Sequence, residues 1–189
     1  MNGVTKTLHI DKYNVKKGED VKGWVYYNLE EEKLFCPPEW HTVPGRNSYI
    51  TLNIDPSDSA TYLNVVRYKP AFQDTTYIMY FRNTYHIMST NTIEVCCDPV
   101  LKRYLYNDKV LYDLQFRSVF NHVRYATFLY IFNRDGFTYE FFMKVHEGNA
   151  EEYQKTFDRI LSSFLVNGKP IFNIDQKLEE IQDIDISKI

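Results

Sequence analysis

The side chains that most often perform chemistry in proteins are scattered along this sequence. No two histidines form an HxH, HExxH or H-x3-H pair of the kind that binds zinc. Of the three cysteines, Cys36 is isolated, and the adjacent Cys96 and Cys97 would point to opposite faces of a strand. No cysteine–histidine spacing fits a zinc site either, so we expect no bound metal. The histidines are His9, His41, His86, His122 and His146.

The best candidate for acid–base chemistry is the pair Glu39 and His41, which flanks Trp40. In an extended segment these two side chains share one face about 7 Å apart, which is too far for a hydrogen bond. A solvated loop explains them better. The sequence has no nucleophile elbow, Walker A, dinucleotide-binding or kinase motif, and its seven glycines are isolated from one another. We therefore expect a protein that is not an enzyme, with no catalytic residue and no cofactor.

Composition narrows the class of partner. The 189 residues include 22 Lys and Arg against 25 Asp and Glu, which gives a net charge of -3. A nucleic-acid partner would require a surplus of basic residues, so we expect none. Aromatic residues make up 16% of the chain, which favours pleated surfaces that carry amphipathic rings.

The cysteines and the N-terminal residues indicate in which cellular compartment the protein is found. Three cysteines do not make a disulfide framework, and we expect reduced thiols in half-buried strands. The first residues are polar, and no apolar run approaches the length of a transmembrane helix. These observations predict a cytoplasmic protein. The alternative is an exported protein or lipoprotein from which a signal peptide has been removed.

Hydrophobic periodicity predicts mostly strands. Short aromatic runs at 24–27 and 33–36 flank an acidic turn at 30–32, and alternation predicts strands at 49–54 and 110–117. Further strands are expected at 62–68 and 92–97, and residues 123–132 are apolar on both faces, which predicts a central strand. Asn133-Arg134-Asp135-Gly136 predicts a hairpin turn, followed by a strand whose residues Phe137 to Val145 present one apolar face. The opposite face of that strand carries Thr138, Glu140, Lys144 and His146.

Two segments have helical spacing instead. Residues 75–88 place Tyr77, Phe81, Tyr85 and Met88 on one stripe with Ile78 beside them, and Asp74 is the expected N-cap. A second stripe runs from Tyr153 to Phe164, preceded by a capping box from Asn149 to Glu152 and closed by Asn167-Gly168. This helix should pack across the apolar face of the hairpin. The expected fold is α+β, with a largely antiparallel central sheet flanked by helices.

The order of these elements resembles the PsbP/DcrB-like domains. Phe35-Cys36-Pro37-Pro38-Glu39-Trp40 is similar to the strand, Pro-bearing loop and Trp found early in that family, and Ile160-Leu161-Ser162-Ser163-Phe164 is similar to the end of its last helix. The resemblance spans about residues 22–166 and implies an α/β/α sandwich. Members of this family are mostly non-catalytic, so the resemblance implies a binding module and transfers no functional residue. The main rival is the cone-shaped NTF2-like fold, which normally opens with a long helix.

Two regions are candidate binding surfaces. The first is a tyrosine set that would form an aromatic patch for a protein or peptide if no helix covers it; the alternative is that these rings fill the cores. The set comprises Tyr104, Tyr106, Tyr112, Tyr125 and Tyr130. The second is an acidic, amphipathic C-terminal extension at 171–189, which follows a single domain at 1–170. Its Leu178 and Ile181 would dock on its own sheet, on another subunit or on a partner.

The sequence therefore predicts a non-catalytic protein-interaction module: an adaptor, a chaperone-like protein or an accessory subunit. Its partner would be another protein, a peptide or a second copy of the chain. The alternative is a domain that binds a small ligand or lipid in an aromatic pocket of a curved sheet.

Overall fold

The computed structural model describes residues 14–17, 21, 23–43, 49–106, 109–172 and 179–189. Two α-helices lie within these ranges, α1 (Asp74–Thr90) and α2 (Ala150–Ser163). The strands there are β1 (Asn14–Lys17), β2 (Val25–Asn28), β3 (Glu32–Cys36), β4 (His41–Thr42), β5 (Ile50–Asp55), β6 (Asp58–Tyr68), β7 (Glu94–Tyr106), β8 (Lys109–Phe120), β9 (Val123–Arg134), β10 (Phe137–His146), β11 (Leu165–Val166), β12 (Lys169–Pro170) and β13 (Glu179–Ile184).

These strands form two antiparallel sheets. The larger sheet has the order β13-β7-β8-β9-β10-β6-β5-β4, and the smaller has the order β1-β2-β3-β11-β12. Helix α1 packs on one face of the larger sheet, while α2 and the smaller sheet pack on the other. We name these faces the α1 face and the α2 face. The arrangement confirms the predicted α+β fold, in which a largely antiparallel central sheet is flanked by helices.

Tight turns account for much of the strand register. Arg134 is directly opposite Phe137, so Asp135 and Gly136 alone make the connection between β9 and β10. Both residues have positive φ, at 50° and 81°, which is the requirement of a type I′ turn and explains the Asp-Gly pair. The predicted hairpin turn is present at its predicted position.

Helix α2 has the predicted apolar stripe, but its ends differ from expectation. Phe157, Ile160 and Leu161 are buried, and Phe164 follows them into the core. The side chain of Asn149 makes no capping hydrogen bond, so the capping box is wrong. Nor does Asn167-Gly168 close the helix: it forms the turn between β11 and β12, because Val166 pairs with Lys169 and both turn residues have positive φ.

Helix α1 follows the first predicted stripe, of which Tyr85 is half-buried, while the neighbouring Ile78 is 47% exposed. Tyr77, Phe81 and Met88 are buried against the sheet, as their spacing predicts. Its N-cap is Gln73, so the expected N-cap, Asp74, is instead the first residue of the helix. At that position a carboxylate still interacts favourably with the positive end of the helix dipole.

A buried ionic cluster joins the smaller sheet to the larger one. The carboxylate of Glu32 accepts hydrogen bonds from Arg67 at 2.8 Å, from Tyr49 at 2.8 Å and from the Tyr139 hydroxyl. The Arg67 guanidinium also lies over the rings of Tyr49 and Phe137. Glu32 is the first residue of β3 and its side chain is 0% exposed, so the predicted acidic turn ends one residue earlier than expected.

The C-terminal segment forms an edge strand of the larger sheet. Strand β13 pairs with β7 over Leu101–Leu105, and Ile186 is then buried in the core beneath α1. Of the two residues named for the predicted amphipathic segment, Ile181 lies in a strand and Leu178 lies outside the described residues.

Candidate functional site

The predicted tyrosine set does not come together on one surface. Tyr104 is opposite Leu111 on the α2 face, whereas Tyr112 is opposite Arg103 on the α1 face, where it packs against Tyr77 and Phe81. The β7–β8 register, which sequence spacing alone does not give, therefore separates these two rings. The side chain of Tyr106 lies outside the described part of the chain.

The two remaining tyrosines are buried. Tyr130 stacks on Phe157 of α2 with 5.4 Å between ring centroids. Tyr125 lies on the α1 face, where its hydroxyl donates to Asp58 at 3.0 Å and its ring stacks on His146.

The other two predicted binding residues belong to the C-terminal segment. Leu178 lies outside the described residues. Ile181 is 41% exposed, and it occupies the irregular position of β13, where the register with β7 shifts between Glu180 and Gln182. A bulge of this kind turns a side chain out of the regular alternation.

One open strand edge lies on β7. Strand β13 covers β7 only from Leu101 to Leu105. Over Glu94–Cys97, β7 pairs with β8 on one side, and no other strand among the described residues pairs with it on the other. This segment of β7 is therefore open to a further strand, the kind of edge that pairs with another chain, although the N–H of Glu94 already donates to Oδ1 of Asn91 at 3.0 Å.

Exposed apolar side chains accompany this edge. Val95 pairs directly with Val119, and Val100 pairs with Gln115 on the same face of β8, so these valines share the α2 face beyond the cover of α2. Ile93, just before β7, is 76% exposed. We define these four residues, Ile93, Val95, Val100 and Val119, as the β7 stripe.

The β7 stripe has a charged rim. Arg124 is the neighbour of Val119 on β9, and Arg117 pairs with Cys97. Both arginines form ion pairs with Glu147, at 3.7 and 3.2 Å. An apolar centre with a polar rim is the usual anatomy of a protein interface.

A cavity of about 260 Å³ lies between α1 and the larger sheet. Its wall on the helix includes Tyr80, Thr84 and Met88, and its floor includes Tyr62 and Phe142. Ile87 and Asn91, which are exposed, place its mouth at the C-terminal end of α1. We call it the α1 cavity.

Five ionisable groups of the sheet line the α1 cavity. Lys144 and Glu94 form an ion pair at 2.7 Å. Glu140 accepts a hydrogen bond from Tyr68 at 2.7 Å, and burial raises the pKa of its carboxyl. Burial also raises the pKa of Tyr62 to about 12 and of Cys96 to about 11, so this phenol and this thiol are neutral at pH 7.

The α2 face carries a pair of protonatable carboxyls. Burial raises the pKa of Asp113 on β8 to about 7, and the charge of Asp158 adds to the effect. Burial also raises the pKa of Asp158 on α2 to about 6. Oδ1 of Asp113 has no hydrogen-bond partner among the described residues.

A larger cleft, about 480 Å³, lies at the N-terminal end of α1. Its charges balance, because Asp74 and Asp135 face it together with Lys109 and Arg134. Its central polar group, Asn133, is bonded to Tyr77, Thr138 and Phe72 at 2.6 to 2.9 Å. These bonds hold the helix to the β9–β10 hairpin, so we assign the cleft a structural role.

Two further observations concern the described residues only. Among them, no group of three His, Cys, Asp or Glu side chains is arranged to hold a metal ion. No helix in the described ranges combines the length and the apolar character needed to cross a membrane.

Comparisons by sequence find no relative, whereas comparisons by structure do. No family model matches the chain, and no curated protein matches it. Its structure is similar to that of cyanobacterial PsbP (CyanoP) from Synechocystis sp. PCC 6803, with a TM-score of 0.57 and 14% identity over 87% of this chain and 98% of that one.

Two other solved structures align at lower TM-scores. One is LpqN, a protein involved in cell envelope biogenesis of Mycobacterium tuberculosis, with a TM-score of 0.47 and 9% identity over 71% of this chain and 82% of that one. The other is PA94 of Pseudomonas aeruginosa, a protein of unknown function, with a TM-score of 0.42 and 12% identity over 76% and 96%.

The residues that carried the predicted resemblance lie in the core. Trp40 and Phe164, which carried the predicted resemblance, are both buried in the core between the larger sheet and α2. The strands that open the described part of the chain also differ from the long first helix of the NTF2-like alternative. The chain therefore has the PsbP-like α+β fold.

Proposed function

We propose that this protein is a non-catalytic interaction module that binds an extended segment of another protein along the open edge of β7. The observation that carries the proposal is the coincidence of that edge, Glu94–Cys97, with the exposed β7 stripe. The similarity to the cyanobacterial protein supports the fold and no other part of this proposal.

Two kinds of contact would hold the partner. The unpaired backbone groups of β7 would pair with an added strand, which supplies affinity with little regard to sequence. Side chains on alternate positions of that strand would pack on Val95 and Val119, which supplies specificity. The partner segment should therefore have apolar residues at every second position.

The length of the docked strand should be short. Asp98 has a positive φ of 52°, and the register of β7 shifts between Cys97 and Val100. Such a bulge interrupts a regular edge. We expect pairing over about four residues, with further apolar contact at Val100.

Site-specific photocrosslinking in the native host tests the proposal. A chain with p-benzoylphenylalanine at Val95 should crosslink to one protein, which is then purified and titrated against the wild-type chain by calorimetry. Val95→Glu should weaken that binding by at least about tenfold, because it buries a carboxylate in an apolar contact.

The matched control is Ile78 on the outer side of α1, which is 47% exposed. Neither crosslinking from position 78 nor Ile78→Glu should reproduce these effects. Equal crosslinking from both positions, or unchanged affinity in Val95→Glu, would show that the β7 stripe is not the binding surface. Analytical sedimentation of the purified chain shows whether it associates with itself, and so identifies the case in which the partner is a second copy.

The free thiols support a cytoplasmic location as part of the same proposal. All three cysteines are unpaired, and Cys97 is exposed next to the proposed interface. Exposed free thiols persist in a reducing compartment. Fractionation of the native host, with detection of the chain in each fraction, tests this location.

A further inference from the structure

We propose that the α1 cavity binds a small organic amine, whose ammonium group is held by the carboxylate of Glu140. This inference goes beyond the proposed protein-binding function. It concerns the α1 face of the sheet, whereas Val95 and Val119 of the β7 stripe lie on the α2 face.

Glu140 is a buried carboxyl that lacks a cationic partner among the described residues. It is only 9% exposed and lines the cavity. Two phenols contact its carboxylate: Tyr68 donates to it at 2.7 Å, and the hydroxyl of Tyr80 lies within hydrogen-bonding reach. The nearest cation along its own strand, Lys144, is paired with Glu94.

The other buried glutamate shows what Glu140 lacks. Glu32 also receives two tyrosine hydroxyls, but Arg67 in addition lies 2.8 Å away and neutralises it. Buried carboxylates are normally paired in this way. Because no side chain among the described residues supplies the equivalent cation for Glu140, a ligand can supply it.

The α1 face already binds one ammonium group, that of Lys144, through the kind of contacts that we propose for the ligand. Nζ of Lys144 contacts the carboxylate of Glu94 and lies 4.6 Å from the centre of the Tyr125 ring and 5.5 Å from that of Phe120. A carboxylate together with aromatic faces is a favourable environment for an ammonium ion.

The surroundings of Glu140 repeat this arrangement with an empty volume beside it. Tyr62 and Phe142 stack with their centres 5.8 Å apart on the cavity floor, and Tyr80 lines the wall. The raised pKa of Glu140, caused by burial, agrees with a carboxyl that has no counter-charge.

The size and charge of the cavity define the ligand class. Its volume of about 260 Å³ is below the range of about 300 Å³ and more that holds drug-sized ligands, so the ligand is small. The charges of Lys144 and Glu94 cancel, so the cavity has a net negative charge when Glu140 is ionised. An amine with a short apolar body, packed on Met88, Leu129 and Phe142, fits these properties.

Three matched probes test the proposal by calorimetry and saturation-transfer NMR on the full chain. They are 2-phenylethylammonium, the neutral 2-phenylethanol and the anionic 3-phenylpropionate. We expect the amine to bind with a Kd of about 1 mM or less, which is about tenfold tighter than the binding of the alcohol. Equal binding of amine and alcohol would overturn the proposal, and so would a preference for the carboxylate, which would assign the site to Lys144.

Variants locate the binding group. Glu140→Gln keeps the shape and removes the charge, so it should weaken amine binding about tenfold. Glu152→Gln, an exposed carboxylate on α2, is the matched control and should change nothing. Should Glu140→Gln fail to fold, Ile87→Trp at the exposed mouth is the second variant, and it should block the cavity and remove binding. Full amine affinity in a folded Glu140→Gln, or in Ile87→Trp, would contradict the proposal.

Discussion

The two faces of the larger sheet are buried in different ways. On the α2 face, a helix and a second sheet enclose an apolar core, and the buried charge of Glu32 is neutralised by Arg67. On the α1 face, a single helix covers the sheet and leaves a cavity, with Glu140 lacking a cationic partner among the described residues. The two faces therefore differ in their buried parts: the part beneath α2 is filled by side chains, whereas the part beneath α1 keeps an open volume.

Strand β10 contributes to both faces and shows the contrast within a single element. Its residues Tyr139, Phe141, Met143 and Val145 are all 0% exposed on the α2 face. The alternate positions on the α1 face include Glu140 and Lys144, which are also buried. Charged residues on that face are therefore held by specific partners rather than by solvent.

The largest expected effect comes from removing the buried cation on each face. Arg67→Met should destabilise the protein by about 3–5 kcal/mol, because Glu32 is then left buried without a counter-charge. Lys144→Met should cost about half as much, since the side chain of its partner Glu94 is 22% exposed and can be hydrated. Urea denaturation measures both free energies of unfolding.

The exposed Arg124 provides the control, since its side chain is 76% exposed. Arg124→Met should change the free energy of unfolding by no more than about 0.5 kcal/mol. Equal losses in Arg67→Met and Lys144→Met would show that the two faces do not differ in the way described.

The next effect concerns pH on the α2 face. The pKa of Asp113 is about 7 in the folded protein and about 3.9 when unfolded, so the folded state binds the extra proton between these values. Stability should therefore fall as pH rises from about 4 to 7, by about 2–4 kcal/mol, and then level off. Asp158, with a pKa of about 6, should contribute in the same direction over a lower range.

Asp113→Asn should remove most of this pH dependence and make the protein more stable than wild type at pH 8. The measurement is the urea midpoint at pH 5, 6, 7 and 8. Asp183→Asn, an exposed position on β13, is the control and should leave the pH profile unchanged. A wild-type profile that rises from pH 5 to 8 would contradict the assignment.

A smaller effect tests the cavity itself. Ala126→Leu on the α2 face adds volume where the alanine is 0% exposed, so overpacking should cost about 1–3 kcal/mol. Thr84→Leu adds volume beside the α1 cavity and should cost less than about 0.5 kcal/mol or stabilise the protein. Thermal unfolding of the two variants compares them; a larger loss in Thr84→Leu would mean that the cavity does not accept added atoms.

The sequence predicted much of the fold because its patterns are local. The Asp135-Gly136 turn, the stripe from Tyr153 to Phe164 and the alternation of β10 each depend on neighbouring residues, and each is present in the structure. A local pattern that fits two structures did not predict the correct one. Asn167-Gly168 suits a helix end and a hairpin equally well. Tertiary pairing of Val166 with Lys169 decides between them.

The candidate sites depend on contacts that are distant in the sequence. The alternation of β10 predicted that Glu140 and Lys144 share one face, but it did not indicate that α1, more than fifty residues earlier, covers them. Likewise, the open edge at Glu94–Cys97 exists because β13 ends its pairing at Leu101. No spacing within β7 or β10 contains this information.

The smallest expected effect on stability belongs to the β7 stripe. Val95 is 58% exposed, and Val95→Glu should change the free energy of unfolding by less than about 0.5 kcal/mol, since a solvated surface position tolerates a charge. The same variant should leave amine binding in the α1 cavity unchanged while it weakens partner binding. Calorimetry with 2-phenylethylammonium and urea denaturation test these two expectations together. If Val95→Glu instead destabilised the protein by several kcal/mol, the β7 stripe would contribute to the stability of the fold. Its exposure would then not indicate a binding surface.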